Sequence, residues 1–303
     1  QAAFADNFAR GEEHGAGFAV ILDGEVIVDL QGGWADRAGT RPWDAATIVP
    51  VYSTTKGISA LILAMAIEAL PAGYETPVSE VWPEFAAAGK EAVTIGEVAS
   101  HQAGLPGFID EIDPALWLDP PACSAALAAL VPMWPPGTAH GYHPLTWGYL
   151  VGEIVARITG HTLGTILRED IAAPLGIDFR IGLPEAEHAR VAEILRPKAL
   201  APLGEITPPR RAAFLTKWSA PDRGGAIWRE IEIPSANGHG TASAVAKLYN
   251  AYANVGLIGG KRLMRPGTFA ALTTARVDGP DLVLPMITRF GAGIMHNNLK
   301  AFG

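Results

Sequence analysis

The sequence is poor in cysteine, in positive charge and in long apolar segments. A single cysteine, Cys123, occurs in 303 residues, which excludes an internal disulfide framework and favours a reducing compartment. Aspartate and glutamate (31) outnumber lysine and arginine (23), and no basic run occurs. Nucleic acid and anionic membranes are therefore poor candidates as partners. The longest apolar run, residues 58–67, is too short to span a bilayer.

The sequence also lacks a targeting segment. Its first residues have neither the basic start nor the apolar run of a signal peptide. No Met stands before Gln1, so we expect earlier residues to have been removed or left out. Hydrophobic residues make up 49% and charged residues 18%, which is enough to bury a sizeable core. We expect a soluble, cytoplasmic protein with one large domain or two closely packed ones, and the oligomeric state stays open.

Several common site signatures are missing as well. No Gly-x-Ser-x-Gly sequence occurs, which argues against the nucleophile elbow of α/β-hydrolases. His140 and His143 are close in sequence, but no third ligand at metal-site spacing and no His-Glu-x-x-His sequence accompanies them. The glycines around His239 are not followed by a phosphate-loop pattern. We therefore expect no metal and no cofactor.

The apolar patterns predict strands at both ends of the chain and helices between them. Two β-branched runs around Asp23-Gly24 predict a hairpin. Helices are predicted after Ser53 and over residues 145–155, 162–175 and about 241–254, and a last strand over 289–295. We expect an α+β fold in which an antiparallel sheet is assembled from both termini and flanked by helices.

The most informative segment is the turn at Ser53 with the apolar helix that follows it. A helix that is apolar nearly all round is buried. Ser53 and Lys56 stand three residues apart at its first turn, so their side chains share one face. Burial lowers the pKa of a lysine and prepares it to take a proton from a neighbouring hydroxyl, with serine as the nucleophile. Ser-x-x-Lys also occurs by chance, so the catalytic interpretation depends largely on the prediction that the following helix is buried.

Tyr142 is the second catalytic candidate. It lies between a Pro-Gly loop and a predicted helix, a position that presents a side chain instead of burying it. An isolated tyrosine is more often a core residue with a satisfied hydroxyl. Beside a serine and a lysine, however, a phenol can share the proton. A nearby ammonium is expected to lower the pKa of the tyrosine and make it a usable base.

Five blocks occur in a fixed order along most of the chain. They are Ser53-Thr54-Thr55-Lys56-Gly57, Ser100-His101-Gln102-Ala103-Gly104-Leu105-Pro106, Pro136-Gly137-Thr138 with Tyr142-His143, Gly152-Glu153-Ile154-Val155, and Pro174-Leu175-Gly176-Ile177. Together they resemble the family VIII carboxylesterases, serine esterases related to class C β-lactamases and penicillin-binding proteins. The ordered set is far more specific than Ser-x-x-Lys alone.

The resemblance implies one β-lactamase-like unit over residues 1–303. Residues 1–76 and about 235–303 would form a sheet-containing part. Residues from about 77 to 234 would form a mainly helical part with loops over the site, which would lie between the two parts. It implies a carboxylesterase that cleaves small or short-acyl esters through an acyl-enzyme on Ser53. Lys56 would hold the proton network, and Tyr142 would act as general base and then as acid toward the leaving alcohol. The backbone N–H of Ser53 would form half of the oxyanion hole.

Two departures from the lactamase pattern bear on the substrate and on the oxyanion hole. Class C β-lactamases carry Tyr-x-Asn where this chain has Tyr142-His143-Pro144, so an asparagine that helps to hold a lactam amide is absent and esters are favoured. The family's third, Gly-rich motif supplies the other oxyanion N–H from a late strand. The sequence ends at Gly303, and we expect that motif and the C-terminal strands to lie beyond it.

Four further residues are candidates for substrate binding. We expect His143 to line the acyl or alcohol pocket, and His239 either to approach the site from the sheet side or to cap a turn. Tryptophans are core residues by default, but Trp134 and Trp228 are predicted on loops and could wall an apolar acyl pocket. Two other functions stay open. One is hydrolysis of lactams, amides or peptides on the same fold, and the other is a catalytically silent binding protein.

Overall fold

The computed structural model describes residues 1–195, 202–221 and 224–297. No helix within these ranges is long and apolar enough to cross a membrane. The α-helices are α1 (Ala2–Ala9), α2 (Thr54–Ala66), α3 (Val78–Val81), α4 (Ile95–Ala99), α5 (Pro120–Ala129), α6 (Thr146–Thr159), α7 (Leu163–Ile166), α8 (Ala173–Leu175), α9 (Pro208–Phe214), α10 (Ala226–Glu230), α11 (Ala242–Ala253) and α12 (Pro266–Thr273). Short 3-10 helices occupy Ile67–Ala69, Gly73–Glu75, Pro83–Gly89, Pro114–Leu118 and Glu185–Arg190, and a π-helical segment, Leu167–Ala172, joins α7 to α8.

The strands of the described residues form four small antiparallel sheets. They are β1 (Gly15–Leu22), β2 (Glu25–Gly33), β3 (Val49–Pro50), β4 (Phe179–Ile181), β5 (Gly238–Gly240), β6 (Leu257–Ile258), β7 (Lys261–Arg262), β8 (Val277–Pro280) and β9 (Ile287–Phe290). The pairs are β1–β2, β6–β7 and β8–β9, and the fourth sheet has the order β3-β5-β4. The α+β fold class is confirmed. The strands do not form one continuous sheet, however. In the described part of the chain, the β3–β5 ladder is the one that pairs a strand from the N-terminal part with a strand from the C-terminal part.

The β1–β2 hairpin turns at Asp23 and Gly24, as the sequence predicts. Both residues have positive φ, 51° and 86°, which suits the two-residue turn that Asp-Gly favours. The hairpin packs against α11. At the contact, a Cβ on Gly17 would lie 3.2 Å from the Cβ of Ala242, so the strand and the helix approach closely at this glycine.

Helix α2 runs through the centre of the core. Every residue from Thr55 to Ala64 is buried, and α6, α7, α11 and α12 pack around it. Full burial of each leucine or isoleucine in this helix contributes about 1.5–3 kcal/mol. Gly57 lets the hydroxyl of Tyr249 approach the first turn, because a Cβ there would lie 2.3 Å from that oxygen. The predicted helix after Ser53 is therefore present and fully enclosed.

Several helix ends follow local sequence signals. Thr94 and Glu97 form a capping box at the start of α4. The hydroxyl of Thr241 caps α11 by accepting a hydrogen bond from the backbone N–H of Ala244, the third residue of that helix. Gly160, with φ of 77°, ends α6 in the left-handed conformation that glycine adopts at no steric cost. The predicted helices over 145–155, 162–175 and 241–254 are thus all observed, the second with the π-helical segment inside it.

Candidate active site

The turn between β3 and α2 carries Ser53. The N–H of Gly238 on β5 donates to Thr55 Oγ1 at 3.0 Å, which ties the turn to the neighbouring strand. Tyr52, just before the serine, has φ of 45°, a left-handed conformation that a bulky residue rarely adopts. Ser53 is the N-cap of α2, yet its side chain makes no capping bond. Ser53 is an exposed residue, and its Oγ remains available to other partners.

The amine of Lys56 lies directly beneath this hydroxyl. Its Nζ donates to the carbonyl oxygens of Pro144 (2.7 Å) and Ser235 (3.1 Å) and lies 3.4 Å from Ser53 Oγ. Lys56 is 4% exposed, and burial holds its pKa well below the ordinary value. A neutral amine has two N–H groups and one lone pair. Because the two carbonyls occupy the two N–H groups, the lone pair is left for Ser53.

Tyr142 also contacts the hydroxyl of Ser53. Its hydroxyl donates to Ser53 Oγ at 2.6 Å, and the Nζ of Lys56 lies 4.8 Å from the centre of its ring. The ring stacks on Phe290 with an interplanar angle of 12°. Burial raises the pKa of Tyr142 to about 12, against the lowering effect of its hydrogen bond with Ser53, and the charge of Asp281 raises the pKa further.

The predicted direction of the Tyr142 pKa shift is therefore wrong. An ammonium on Lys56 was expected to lower that pKa, but burial disfavours the charged form of the lysine itself. Burial also disfavours the phenolate. Both shifts favour one state of the site, in which a neutral phenol and a neutral amine contact the same serine oxygen.

The sequence matches the Beta-lactamase family over residues 2–301. The chain belongs to the beta-lactamase family. Esterase/beta-lactamase LipL of Mycobacterium tuberculosis is 37% identical over 287 residues, which cover 90% of this chain and 66% of LipL. This chain therefore spans just under two thirds of the length of that relative.

Two solved structures are similar over nearly the whole of this beta-lactamase family chain. A penicillin-binding protein homologue from Caulobacter crescentus is 51% identical with a TM-score of 0.94, covering 98% of this chain and 80% of that one. A family VIII carboxylesterase is 39% identical with a TM-score of 0.89, covering 100% of this chain and 81% of that one. The predicted β-lactamase-like fold and the resemblance to family VIII are confirmed.

His143 lies behind the site and is fully buried. Its Nε2 accepts the N–H of Leu105 at 2.9 Å, so the proton is assigned to Nδ1, which donates to the carbonyl of Gly141 at 2.6 Å. Burial lowers the pKa of His143 to about 3. Both ring nitrogens are therefore occupied by the backbone, and this placement differs from the position in a pocket wall that the sequence led us to expect.

Trp134 is also a packed residue. It is 8% exposed, its Nε1 donates to the carbonyl of Ala139 at 3.1 Å, and its ring meets His143 edge to face. Trp134 therefore packs against His143 in the protein interior.

Trp228 and His239 pack together near Tyr52, the residue before Ser53. The ring of Trp228 is 5.7 Å from that of His239 and 6.4 Å from that of Tyr52. His239 lies on β5, and its Nδ1 is 2.7 Å from the carbonyl of Asn237. Burial lowers the pKa of His239 to about 4. Both His239 and Trp228 are buried, and Trp228 packs against His239 and against Tyr52.

The backbone carbonyl of Ser235 binds Lys56, and no sequence pattern indicated this residue. Its hydroxyl donates to the carbonyl of Leu145 at 2.8 Å, which fixes the segment against the start of α6. Gly148 allows this approach, because a Cβ there would lie 2.5 Å from the backbone nitrogen of Ser235. A backbone carbonyl can come from any residue, so no motif could have identified this one.

Two expectations concern features other than Ser53, Lys56 and Tyr142. The residues that the structure describes contain no group of three or more His, Cys, Asp or Glu side chains that could hold a metal ion. The third, Gly-rich motif was expected beyond Gly303, and that position lies outside the described residues, which end at Asn297.

Proposed function

We propose that this protein is a serine carboxylesterase that cleaves small or short-acyl esters through an acyl-enzyme on Ser53. The observation that carries the proposal is the shared serine oxygen: Ser53 Oγ lies 2.6 Å from the hydroxyl of Tyr142 and 3.4 Å from the Nζ of Lys56. A nucleophile within reach of two proton-transfer groups is the arrangement that acyl transfer requires.

In acylation, Lys56 acts as the base, the role that the resemblance implied for Tyr142, because burial lowers the pKa of the amine and raises that of the phenol. Its neutral amine takes the hydroxyl proton of Ser53 while the serine oxygen attacks the acyl carbon, and the carbonyl electrons move onto the carbonyl oxygen. The resulting ammonium keeps its hydrogen bonds to the carbonyls of Pro144 and Ser235. Those two contacts stabilise positive charge at the moment when negative charge forms on the substrate.

Tyr142 supplies the proton that the leaving alcohol needs. As the bond between the acyl carbon and the alcohol oxygen breaks, that oxygen takes the phenolic proton, and the ammonium of Lys56 then reprotonates the phenolate. The raised pKa of Tyr142 keeps the phenol protonated and ready for this role. In deacylation, water gives a proton to the amine as it attacks, and Ser53 recovers its proton when the acid leaves.

The turn before α2 offers a donor for the developing oxyanion. Within the described residues, the N–H of Ser53 has no hydrogen bond to a backbone acceptor. It lies at the positive end of a 13-residue helix, where unpaired N–H groups favour negative charge. One such donor typically contributes about 3–4 kcal/mol to stabilisation of the transition state.

Ester substrates are favoured over lactams on the basis of Pro144. It stands where the lactamase pattern has an asparagine side chain, and its carbonyl is committed to Lys56. The similar solved structure that is named a family VIII carboxylesterase supports the same choice.

The single buried cysteine supports a location in the reducing cytoplasm.

Lactam opening is the second candidate function, and the printed name of LipL, an esterase/beta-lactamase, favours keeping it. Parallel turnover of a short-chain p-nitrophenyl ester and a chromogenic cephalosporin separates the two. We expect rapid ester hydrolysis, slow or no lactam opening, and loss of both in Ser53→Ala. Faster lactam opening than ester hydrolysis would assign the protein to the β-lactamases, and undiminished turnover in Ser53→Ala would exclude both functions at this serine.

A further inference from the structure

A buried carboxylate lies beside the catalytic tyrosine, in the loop between β8 and β9. Asp281 is 6% exposed. Its Oδ1 accepts the backbone N–H of Tyr142 at 3.0 Å and those of Val283 and Leu284 at 2.8 Å each. Its Oδ2 accepts the hydroxyl of Thr288 at 3.0 Å. One side chain therefore joins the backbone of the tyrosine to a loop that is about 140 residues away in the sequence.

The same loop also holds the start of the segment that leads to Tyr142. The carbonyl of His140 accepts the N–H of Leu282 at 3.0 Å, and His140 Nε2 lies 2.9 Å from Thr288 Oγ1. Because the hydroxyl of Thr288 gives its proton to Asp281, the ring of His140 must be the donor in that contact. The side chains of His140, Thr288 and Asp281 are thus joined by a continuous series of hydrogen bonds.

Gly141 brings this segment against the loop. A Cβ at this position would lie 2.9 Å from the ring of Trp134 and 3.1 Å from Val283, so only a glycine permits the approach. On the other side, the N–H of Gly141 donates to the carbonyl of His101 at 3.1 Å. The backbone before Tyr142 is therefore enclosed on both sides, and the N–H of Tyr142 itself donates to the Asp281 carboxylate.

We propose that Asp281 is a positioning residue, whose Oδ1 fixes the backbone of Tyr142 so that the phenol stays in contact with Ser53. The inference rests on the proposed function of that serine. Asp281 touches no reacting atom and acts through the main chain of Tyr142. A displacement of about 1 Å at a reacting group lowers the rate about a hundredfold, so loss of this anchor should slow the chemical step.

Three substitutions separate hydrogen-bond geometry from charge. Asp281→Ala removes the acceptor, Asp281→Glu keeps the charge but moves the acceptor by one methylene, and Asp281→Asn keeps an oxygen acceptor without the charge. Thr288 can rotate its hydroxyl to accept from the amide of the asparagine. Asp278→Ala is the matched control, since Asp278 is an exposed carboxylate on the adjoining strand, 3.8 Å from Arg289.

The readouts are kcat and KM for a short-chain p-nitrophenyl ester, the thermal midpoint, and the rate at which a phosphonate labels Ser53. We expect kcat to fall about a hundredfold in Asp281→Ala and at least about tenfold in Asp281→Glu, with KM within about threefold of the wild type. Asp281→Asn should stay within about fivefold of the wild-type kcat, and Asp278→Ala should match the wild type.

Wild-type kcat in a folded Asp281→Ala, or an Asp281→Asn as slow as Asp281→Ala, overturns the proposal. If the alanine variant does not fold, the comparison of glutamate with asparagine decides, and equal kcat values for these two variants also overturn it. A wild-type protein without ester turnover would contradict the proposed function instead. In that case the variants can still be compared by the rate at which the phosphonate labels Ser53.

Discussion

The Nζ of Lys56 lies 3.4 Å from the Oγ of Ser53, and its other partners among the described residues are two backbone carbonyls and no carboxylate. A lysine that bonds only to neutral groups in a buried position loses its charge more easily than one that is paired with an acid. The helix that places both residues on one face also buries the amine. The position of the Lys56 amine and its protonation state therefore have the same structural origin.

Replacement of Lys56 tests whether a neutral amine is required. Lys56→Met should lower kcat about a thousandfold, because the base is lost. Lys56→Arg should be as inactive, since a guanidinium stays charged and offers no lone pair. The control is Lys90→Met: Lys90 also donates to two carbonyls, those of Ala87 and Leu130, but it takes no part in the site. Steady-state ester kinetics measure the effect, and an active Lys56→Arg would contradict the role of the base.

Removal of the phenolic hydroxyl tests Tyr142 as the acid. Tyr142→Phe should lower kcat by about 100- to 10,000-fold with the fold retained. Esters with better leaving groups need less protonation, so the loss should be smaller for a p-nitrophenyl ester than for an alkyl ester. Tyr149→Phe is the control, because its buried hydroxyl bonds to the carbonyl of Trp117 and should affect stability alone, by about 1 kcal/mol. Equal losses for both ester types would contradict the assignment of an acid.

Gly148 tests the contribution of the Ser235 carbonyl. A Cβ at Gly148 would lie 2.5 Å from the backbone nitrogen of Ser235, so Gly148→Ala must displace the carbonyl that binds Lys56. We expect kcat to fall about tenfold or more and stability to fall by about 1–3 kcal/mol. Gly152→Ala, one turn along α6, meets its nearest neighbour at 3.4 Å and should be tolerated. Equal kcat values in the two variants would show that the carbonyl is dispensable.

The buried His143 predicts a loss of stability in acid. Its pKa is about 3 in the folded protein and near 6.5 when exposed, so the unfolded chain binds the extra proton between these values. Stability is therefore lost as the pH falls below about 6.5, by about 2 kcal/mol at pH 5 from this residue. Urea unfolding at pH 7.5 and pH 5 should show a smaller pH dependence in His143→Asn than in the wild type. His161→Asn, at an exposed position, should keep the wild-type dependence, and an unchanged slope in His143→Asn would refute the assignment.

The sequence was sufficient for the elements whose signals are local. The turn at Asp23-Gly24, the end of α6 at Gly160 and the apolar helix after Ser53 each depend on neighbouring residues, and each is observed. The spacing of Ser53 and Lys56 placed both side chains on one face, and the structure shows them in contact.

What the sequence did not show depends on contacts between distant segments. Asp281 reaches Tyr142 across 139 positions, and Ser235 reaches Lys56 across 179. No spacing rule links such residues. The Tyr142 pKa shift was predicted in the wrong direction for a related reason, because the burial of the amine and of the phenol is a property of the packed core and not of their spacing.

The most direct test of the account is covalent labelling of Ser53. The full-length protein is treated with a p-nitrophenyl phosphonate, digested and examined by peptide mass spectrometry, beside Ser53→Ala and Lys56→Met. We predict one adduct on the peptide that contains Ser53, none in Ser53→Ala, and labelling slowed at least about a hundredfold in Lys56→Met. An adduct on another residue, labelling that persists in Ser53→Ala, or no adduct in the wild-type protein would contradict the assignment of Ser53 as the nucleophile.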